Sequence, residues 1–139
     1  MEKKVTFELV SPEKLLISAE VDMVLVPGAE GDFGVLPGHS LLISGIRPGI
    51  LEVHNDGKVE ECIFVSSGIA EVTPERCTIL AEQAVPVDEL DAKEIGSRIS
   101  DLCDDIDTST NDDDRKTAEK ALIVAEAMRD AAAAATSTH

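Results

Sequence analysis

Alternating apolar and polar residues dominate the chain up to about residue 87. In the first such segment Val5, Phe7 and Leu9 alternate with Thr6 and Glu8, which is the pattern of a half-buried β-strand. A second segment follows the turn signal at residues 11–13. From these segments we expect one buried set of side chains, namely Val5, Phe7, Leu9, Val21, Met23 and Leu25.

Two turn signals divide the later β segments. Asp56-Gly57 lies between two apolar segments and predicts a hairpin, since these residue types tolerate the positive φ angles of a two-residue connection. Residues 73–76, with Pro74 placed for a turn, predict a second hairpin. Many short strands at regular spacing indicate a β-sandwich or flattened barrel.

Residues 26–39 contain four glycines and two prolines, a density that predicts a shaped loop rather than a helix or an uninterrupted strand. Gly28, Gly31 and Gly34 repeat every third residue, as in a phosphate-binding loop. Such a loop also needs a lysine where it opens a helix, and no lysine occurs between Lys14 and Lys58. Turn formation therefore explains the glycines better than phosphate binding.

The pattern changes to helical spacing after residue 87. Asp88 is the expected N-cap of an amphipathic helix, and Thr110 with Asp113 resembles a capping box for a second helix. We expect residues 1–87 to form a β domain and residues 88–139 an antiparallel helical hairpin that frays from Ala131. Because alanines dominate the second helix, the two helices should hold together weakly and be able to undock. The apolar positions that predict the helices are Ile95, Ile99, Leu102, Cys103 and Ile106 in the first and Ala118, Ala121, Leu122, Ala125 and Met128 in the second.

Charge and composition narrow the function. The 139 residues carry 28 acidic and 12 basic side chains, a net charge of −16, which disfavours nucleic acid and anionic lipid as partners. No apolar run is long enough for a membrane span and no signal peptide is evident, so we expect a cytosolic chain. In that compartment Cys62, Cys77 and Cys103 should be free thiols, although a bond between Cys62 and Cys77 stays open.

Catalytic chemistry finds little support in the sequence. His39, His54 and His139 show no metal-ligand spacing, and no nucleophile motif is present. The aspartates at 104–114 lack the mid-loop glycine and closing glutamate of a calcium loop, so a solvated loop and helix N-terminal charge explain them better. We therefore expect no catalytic residue, no cofactor and no metal, and an interaction protein.

Five motifs resemble the epsilon subunit family of the F-type ATP synthase. They occur in the expected order and spacing across about the first 85 residues, and the glycine-rich block is quite specific to that family. The family's architecture, a β-sandwich followed by two helices, matches the one expected above. The motifs are Val10-Ser11-Pro12-Glu13, residues 26–39, Arg47-Pro48-Gly49, residues 67–72 and residues 78–82.

This resemblance implies a rotor component without an active site, held peripherally on the cytoplasmic side of the cell's inner membrane. The β domain would bind the gamma subunit and stand on the membrane ring of c subunits, coupling proton transport to ATP synthesis. The glycine-rich segment faces the ring in such proteins, which implies ring contacts for Glu30, Asp32 and His39.

The resemblance implies a regulatory role for the helical hairpin, which in many relatives reaches the alpha and beta subunits of the catalytic head and inhibits ATP hydrolysis. The candidate contacts are Arg115, Lys116, Lys120 and Arg129. Residues 88–139 nevertheless hold 14 acidic and 6 basic side chains, a net charge of −8, so we expect weak inhibition. Some relatives bind ATP through an arginine in the first helix; Glu94 stands at that position here, so we expect no ATP site.

A different class of function is compatible with the same architecture. The chain could be a free-standing β-sandwich module that binds a small ligand or a peptide, with the helical hairpin as a lid. That function needs an apolar pocket, which the low aromatic content of 2% makes difficult to build. An enzyme of unknown type would rest only on His39 and scattered carboxylates. Association with gamma would separate the rotor component from the free-standing module.

Overall fold

The computed structural model describes residues 4–137, and the side chains of residues 4–134. It divides into two compact units, a β domain that ends at Pro86 and a helical hairpin that begins at Val87. The strands are β1 Val5–Val10, β2 Leu15–Val21, β3 Met23–Gly28, β4 Gly31–Val35, β5 Leu42–Ile46, β6 Gly49–Asn55, β7 Lys58–Val65, β8 Gly68–Val72, β9 Arg76–Ala81 and β10 Ala84–Pro86, and the helices are α1 Ala92–Thr108 and α2 Asp112–Ser137.

The ten strands form one curled sheet in the order β10-β7-β6-β3-β5-β8-β9-β1-β2, with β4 paired to β3 beside this path. β1 and β9 are parallel, and the other pairs are antiparallel. Both predicted hairpins are present, because β6 and β7 join at Asp56-Gly57 and β8 and β9 join across residues 73–75. The expected flattened β structure followed by two helices is confirmed.

The curled sheet encloses a core of valine, isoleucine and leucine. Val5, Phe7 and Leu9 are buried, as the alternation predicted. The prediction for β3 was wrong, because Val24 and Val26 are fully buried while Met23 and Leu25 are only partly so. A bend at Asp22 interrupts the strand, so the alternation that begins at Val21 does not continue in phase into β3.

Residues 26–39 are only partly loop, which corrects the expectation from their glycine content. Gly28 pairs with Gly31, so the end of β3 and all of β4 form a hairpin within this segment. Gly28 is needed where it stands, since a Cβ there would lie 2.6 Å from the carbonyl oxygen of Gly31. The loop proper spans residues 36–41, where the Gly38 N–H donates to the carbonyl oxygen of Pro74 at 2.7 Å.

The helical hairpin begins with a single 3-10 turn, Val87–Glu89. Asp88 lies in that turn, and Asp91 is the N-cap of α1, with its side chain accepting from the N–H groups of Lys93 and Glu94. The expected cap was therefore three residues early. At α2 the cap is Asn111, whose Oδ1 accepts from the Asp114 N–H at 2.8 Å, in place of the predicted pair Thr110 and Asp113.

Helices α1 and α2 pack against each other as an antiparallel pair joined by residues 109–111. α2 continues to Ser137, and Ala131 and Ala132 are buried, so the helix extends beyond Ala131, where the sequence predicted fraying. Residues 138 and 139 lie outside the described part of the chain. Neither α1 nor the described length of α2 is long and apolar enough to cross a membrane.

Candidate interaction surfaces

An exposed apolar row crosses four neighbouring strands of the β domain. Residues paired in a regular part of a sheet point to the same face. Ile69 pairs with Leu80, and Leu80 pairs with Val10. Leu15 pairs with Val10 where a bulge shifts the register between β1 and β2. Leu15, Ile69 and Leu80 are 53%, 46% and 41% exposed. We call Val10, Leu15, Ile69 and Leu80 the outer row.

Further apolar side chains extend this surface along β5 and the loop that precedes it. Ile43 is 73% exposed and lies beside Glu71 of β8, and Leu41 is 77% exposed. Single exposed apolar residues are common, but a contiguous set on one sheet face marks an interaction site. This surface was not predicted from the sequence. The signal for it was apolar residues at outward positions, such as Ile69 beside the buried Ala70 and Leu80 beside the buried Ile79.

The β3–β4 hairpin presents a second, polar surface at its turn. We call residues 28–31 the hairpin tip. Glu30 is exposed there and makes no ion pair among the described residues. Asp32 is also half-exposed, but its carboxylate forms an ion pair with Nη2 of Arg47. Glu30 and Asp32 therefore lie close together, but of the two only Asp32 forms an ion pair among the described residues.

His39 lies at the other end of the β domain from the hairpin tip. The tip adjoins the end of β5, because Gly28 pairs with Ile46. His39 precedes the start of β5 and belongs to the loop that contacts Pro74, next to the β8–β9 turn. The strand between them, Leu42–Ile46, has five residues and a length of about 13 to 17 Å. The structure thus brings Glu30 and Asp32 together but not His39.

The basic residues of α2 are all exposed and do not form one face. Asp112, Glu119 and Glu126 recur every seventh residue, about two helical turns, and form an acidic stripe. Lys116 and Lys120 lie on one side of this stripe; Arg115 and Arg129 lie on the other. Arg129 is further paired with Asp130, with Nε and Oδ1 3.6 Å apart.

The remaining candidate chemical groups occupy structural roles or stay apart. Asp91, in the segment compared with an ATP motif, caps α1 with its side chain. Among residues 4–137 no three histidine, cysteine, aspartate or glutamate side chains converge as a metal site. Cys62 and Cys103 are exposed, Cys77 is buried, and all three are free thiols.

Comparisons with known proteins agree on one family. Residues 4–87 match the family model described as ATP synthase, Delta/Epsilon chain, beta-sandwich domain. The chain is 49% identical over 133 residues to an ATP synthase epsilon chain of Paramagnetospirillum magneticum, covering 96% of this chain and 100% of that protein. It is 50% identical over 135 residues to that of Rhodospirillum centenum, covering 94% and 92%.

A solved structure gives the same result for the fold. A chain in the cryo-EM structure of the Euglena gracilis mitochondrial ATP synthase, OSCP/F1/c-ring in rotational state 1, superposes with a TM-score of 0.81. The two chains are 26% identical, and the match covers 92% of this chain and 81% of that one.

Proposed function

The chain belongs to the ATP synthase delta/epsilon family as an epsilon chain, and from this premise we propose that it is the non-catalytic subunit that joins gamma to the c ring. In this role it is a rotor part of the central stalk. It transmits torque between proton flow through the ring and ATP synthesis in the catalytic head, and supplies no reacting group itself. Because the chain belongs to this family, the rotor subunit explains the fold better than the free-standing ligand-binding module does.

The outer row is the observation that carries the proposal of a gamma contact. Leu15, Ile69 and Leu80 are exposed to water and Val10 of the same row is half-buried, although each would contribute favourable free energy if a partner covered it. The neighbouring Ile43 and Leu41 enlarge the patch. A torque-bearing contact has to stay intact while the rotor turns, which suits an apolar interface. We therefore assign gamma to this face.

The hairpin tip is the proposed ring contact. Its charge is acidic, as expected for a surface that meets basic residues in the polar loops of c subunits. Glu30 and Asp32 share this end of the β domain, whereas His39 lies at the opposite end of β5. A contact centred on the tip accordingly includes the two carboxylates and leaves His39 outside.

For the helical hairpin we propose a weak regulatory contact with the alpha and beta subunits. Arg115, Lys116, Lys120 and Arg129 are exposed and available to an acidic partner. The acidic stripe between them lowers the positive potential that such a contact needs. Inhibition of ATP hydrolysis through these residues is then modest, and the chain resides on the cytoplasmic side as a peripheral part of the complex.

Affinity purification from the native membrane tests this assignment. A tagged full-length chain is expected to bring down gamma and the c ring from membranes solubilised in mild detergent, in amounts consistent with one complex. Recovery of the chain alone from membranes that contain an intact ATP synthase would contradict the proposed function. A tagged Ile69→Lys variant should recover less of both partners, because its contact with gamma is weakened.

A further inference from the structure

The hairpin tip has a turn that does not by itself favour the β3–β4 hairpin. Gly28 pairs with Gly31, so Ala29 and Glu30 are the two connecting residues. The two-residue turns that match the twist of a sheet require a positive φ at the first of these residues. Among the described residues other than glycine only Asp56 has a positive φ, so Ala29 does not supply it. The tip therefore is not a two-residue turn of the favoured kind, and the positive φ angle in this segment is the 140° of Gly31.

The β6–β7 hairpin provides the comparison within the same chain. Asn55 pairs with Lys58, and the connecting residues Asp56 and Gly57 have φ angles of 55° and 78°. Both are positive, as the favoured type I′ turn requires. The β6–β7 hairpin has the turn that two-residue connections favour, whereas the tip lacks that turn and makes further contacts with another part of the β domain.

Residues 45–47 contact the tip and the residues that flank it. The Ala29 N–H donates to the carbonyl oxygen of Gly45 at 2.8 Å, and the Arg47 N–H donates to that of Pro27 at 3.0 Å. The Arg47 side chain adds contacts on both sides of the turn. Its Nη1 donates to the carbonyl oxygen of Gly28, and its Nη2 is ion-paired with Asp32. A guanidinium is suited to this because its donors form a rigid planar fork.

We infer that Arg47 is the positioning residue of the ring contact. It holds the hairpin tip in place and forms an ion pair with Asp32. Glu30 is then the carboxylate that is presented to basic side chains of the ring. This inference rests on the proposed function for the identity of the partner. The contacts between Arg47 and the tip region are present in the structure and do not depend on that proposal. Arg47 itself is not the recognition residue, because its side-chain contacts are with the chain's own Gly28 and Asp32.

Substitution of Arg47 separates positioning from charge. Arg47→Gln frees the Asp32 carboxylate and makes the tip more acidic, so an account based on charge alone expects tighter binding to a basic ring. The positioning account expects weaker binding, because a mobile tip must be ordered on association. Lys58→Gln is the matched control: it removes one positive charge at the β6–β7 turn, at the other end of β6 from Arg47.

The first measurement follows the tip in the full-length chain by NMR. In the unsubstituted chain the backbone order parameters of residues 29–31 should be near 0.85, the value of rigid backbone, and in Arg47→Gln they should fall below about 0.6. Arg47→Lys should give an intermediate value, since lysine keeps the charge but not the fork. Order parameters that stay near 0.85 in Arg47→Gln would overturn the inference. Lys58→Gln should leave residues 29–31 unchanged.

The second measurement is binding of the chain–gamma complex to the detergent-solubilised c ring. Arg47→Gln and Glu30→Gln should each weaken binding by about fivefold or more, which is about 1 kcal/mol, and their double variant should lose less than the sum. Tighter binding by Arg47→Gln would contradict positioning. Failure of the unsubstituted complex to bind the ring would refute the proposed function and the role given to Glu30, while the NMR result would still decide whether Arg47 holds the tip.

Discussion

Ile69 and Leu80 lie opposite each other in β8 and β9 with both side chains exposed, although Leu80 lies between the buried Ile79 and Ala81 and Ile69 precedes the buried Ala70. We predict that Ile69→Lys weakens association with gamma at least tenfold, about 1.4 kcal/mol, because a charge would enter the centre of an apolar interface. Titration calorimetry with purified gamma measures the change.

Val59→Lys is the control for this substitution. Val59 is 48% exposed against 46% for Ile69, lies in β7 outside the outer row, and acquires the same charge. It should bind gamma as the unsubstituted chain does. Equal losses for the two variants would remove the outer row as the gamma surface. Both should remain folded, since exposed strand positions tolerate such changes within about 1 kcal/mol.

Ile79 and Leu80 are neighbours in β9 on opposite faces of the sheet, which allows a paired test of the core. Ile79 is fully buried, so Ile79→Ala should lower the free energy of unfolding by about 2 to 5 kcal/mol. Leu80→Ala removes a side chain that is 41% exposed and should cost less than half as much. Urea denaturation of the full chain, followed by a signal from the β domain, measures both. Similar losses would contradict the assigned faces.

Burial raises the pKa of the Cys77 thiol to about 12. At pH 8 only on the order of one molecule in ten thousand would carry the Cys77 thiolate, which is the reactive form. Alkylation by iodoacetamide should therefore modify Cys103 and Cys62 but not Cys77 until the chain is unfolded. Cys62 should react more slowly than an unperturbed thiol, because partial burial and then the charge of Glu52 raise its pKa. Rapid modification of Cys77 in the folded chain would contradict its buried position.

The raised pKa of Cys77 also predicts the direction in which stability changes with pH. The thiol's ordinary pKa is 9.0, so above pH 9 the unfolded chain releases the Cys77 proton while the folded chain keeps it up to about pH 12. Stability from this group is complete below pH 9 and declines as pH rises towards 12. Cys77→Val should lose less stability than the unsubstituted chain between pH 8 and pH 10 in urea titrations. Parallel declines would count against Cys77 as the source.

The cap of α2 can be tested by two neighbouring substitutions. Asn111→Ala should destabilise the helical hairpin by about 1 kcal/mol, because Oδ1 of Asn111 accepts from the Asp114 N–H. Thr110→Ala should have a smaller effect, since Thr110 is not the capping residue. Helical circular dichroism during urea unfolding is the measurement. A larger loss for Thr110→Ala would restore the cap expected from sequence.

Much of the fold was predictable because it depends on local patterns. The alternation of Val5, Phe7 and Leu9 and the turn residues Asp56 and Gly57 specify their structures without reference to distant parts of the chain. The core of β3 was not predictable in the same way, since the bend at Asp22 changes the phase between Val21 and Val24.

The surfaces were less predictable than the strands, because they depend on which strands become neighbours. The outer row exists only because parallel pairing of β1 with β9 places Val10 beside Leu80. Likewise, Arg47 and Asp32 are 15 residues apart in sequence, and their ion pair follows from the tip meeting the end of β5. The sequence identified Glu30 and Asp32 as candidate ring contacts but gave no sign that Arg47 forms an ion pair with Asp32.

Calorimetric titration of purified cognate gamma with the full-length chain is the decisive test of the proposed function. We predict saturable one-to-one binding with a Kd at or below about 1 μM, about −8.2 kcal/mol. We also predict a negative heat-capacity change, because the outer row is apolar and becomes buried. Absence of binding under conditions in which both proteins are folded would contradict the assignment of this chain as the link between gamma and the ring.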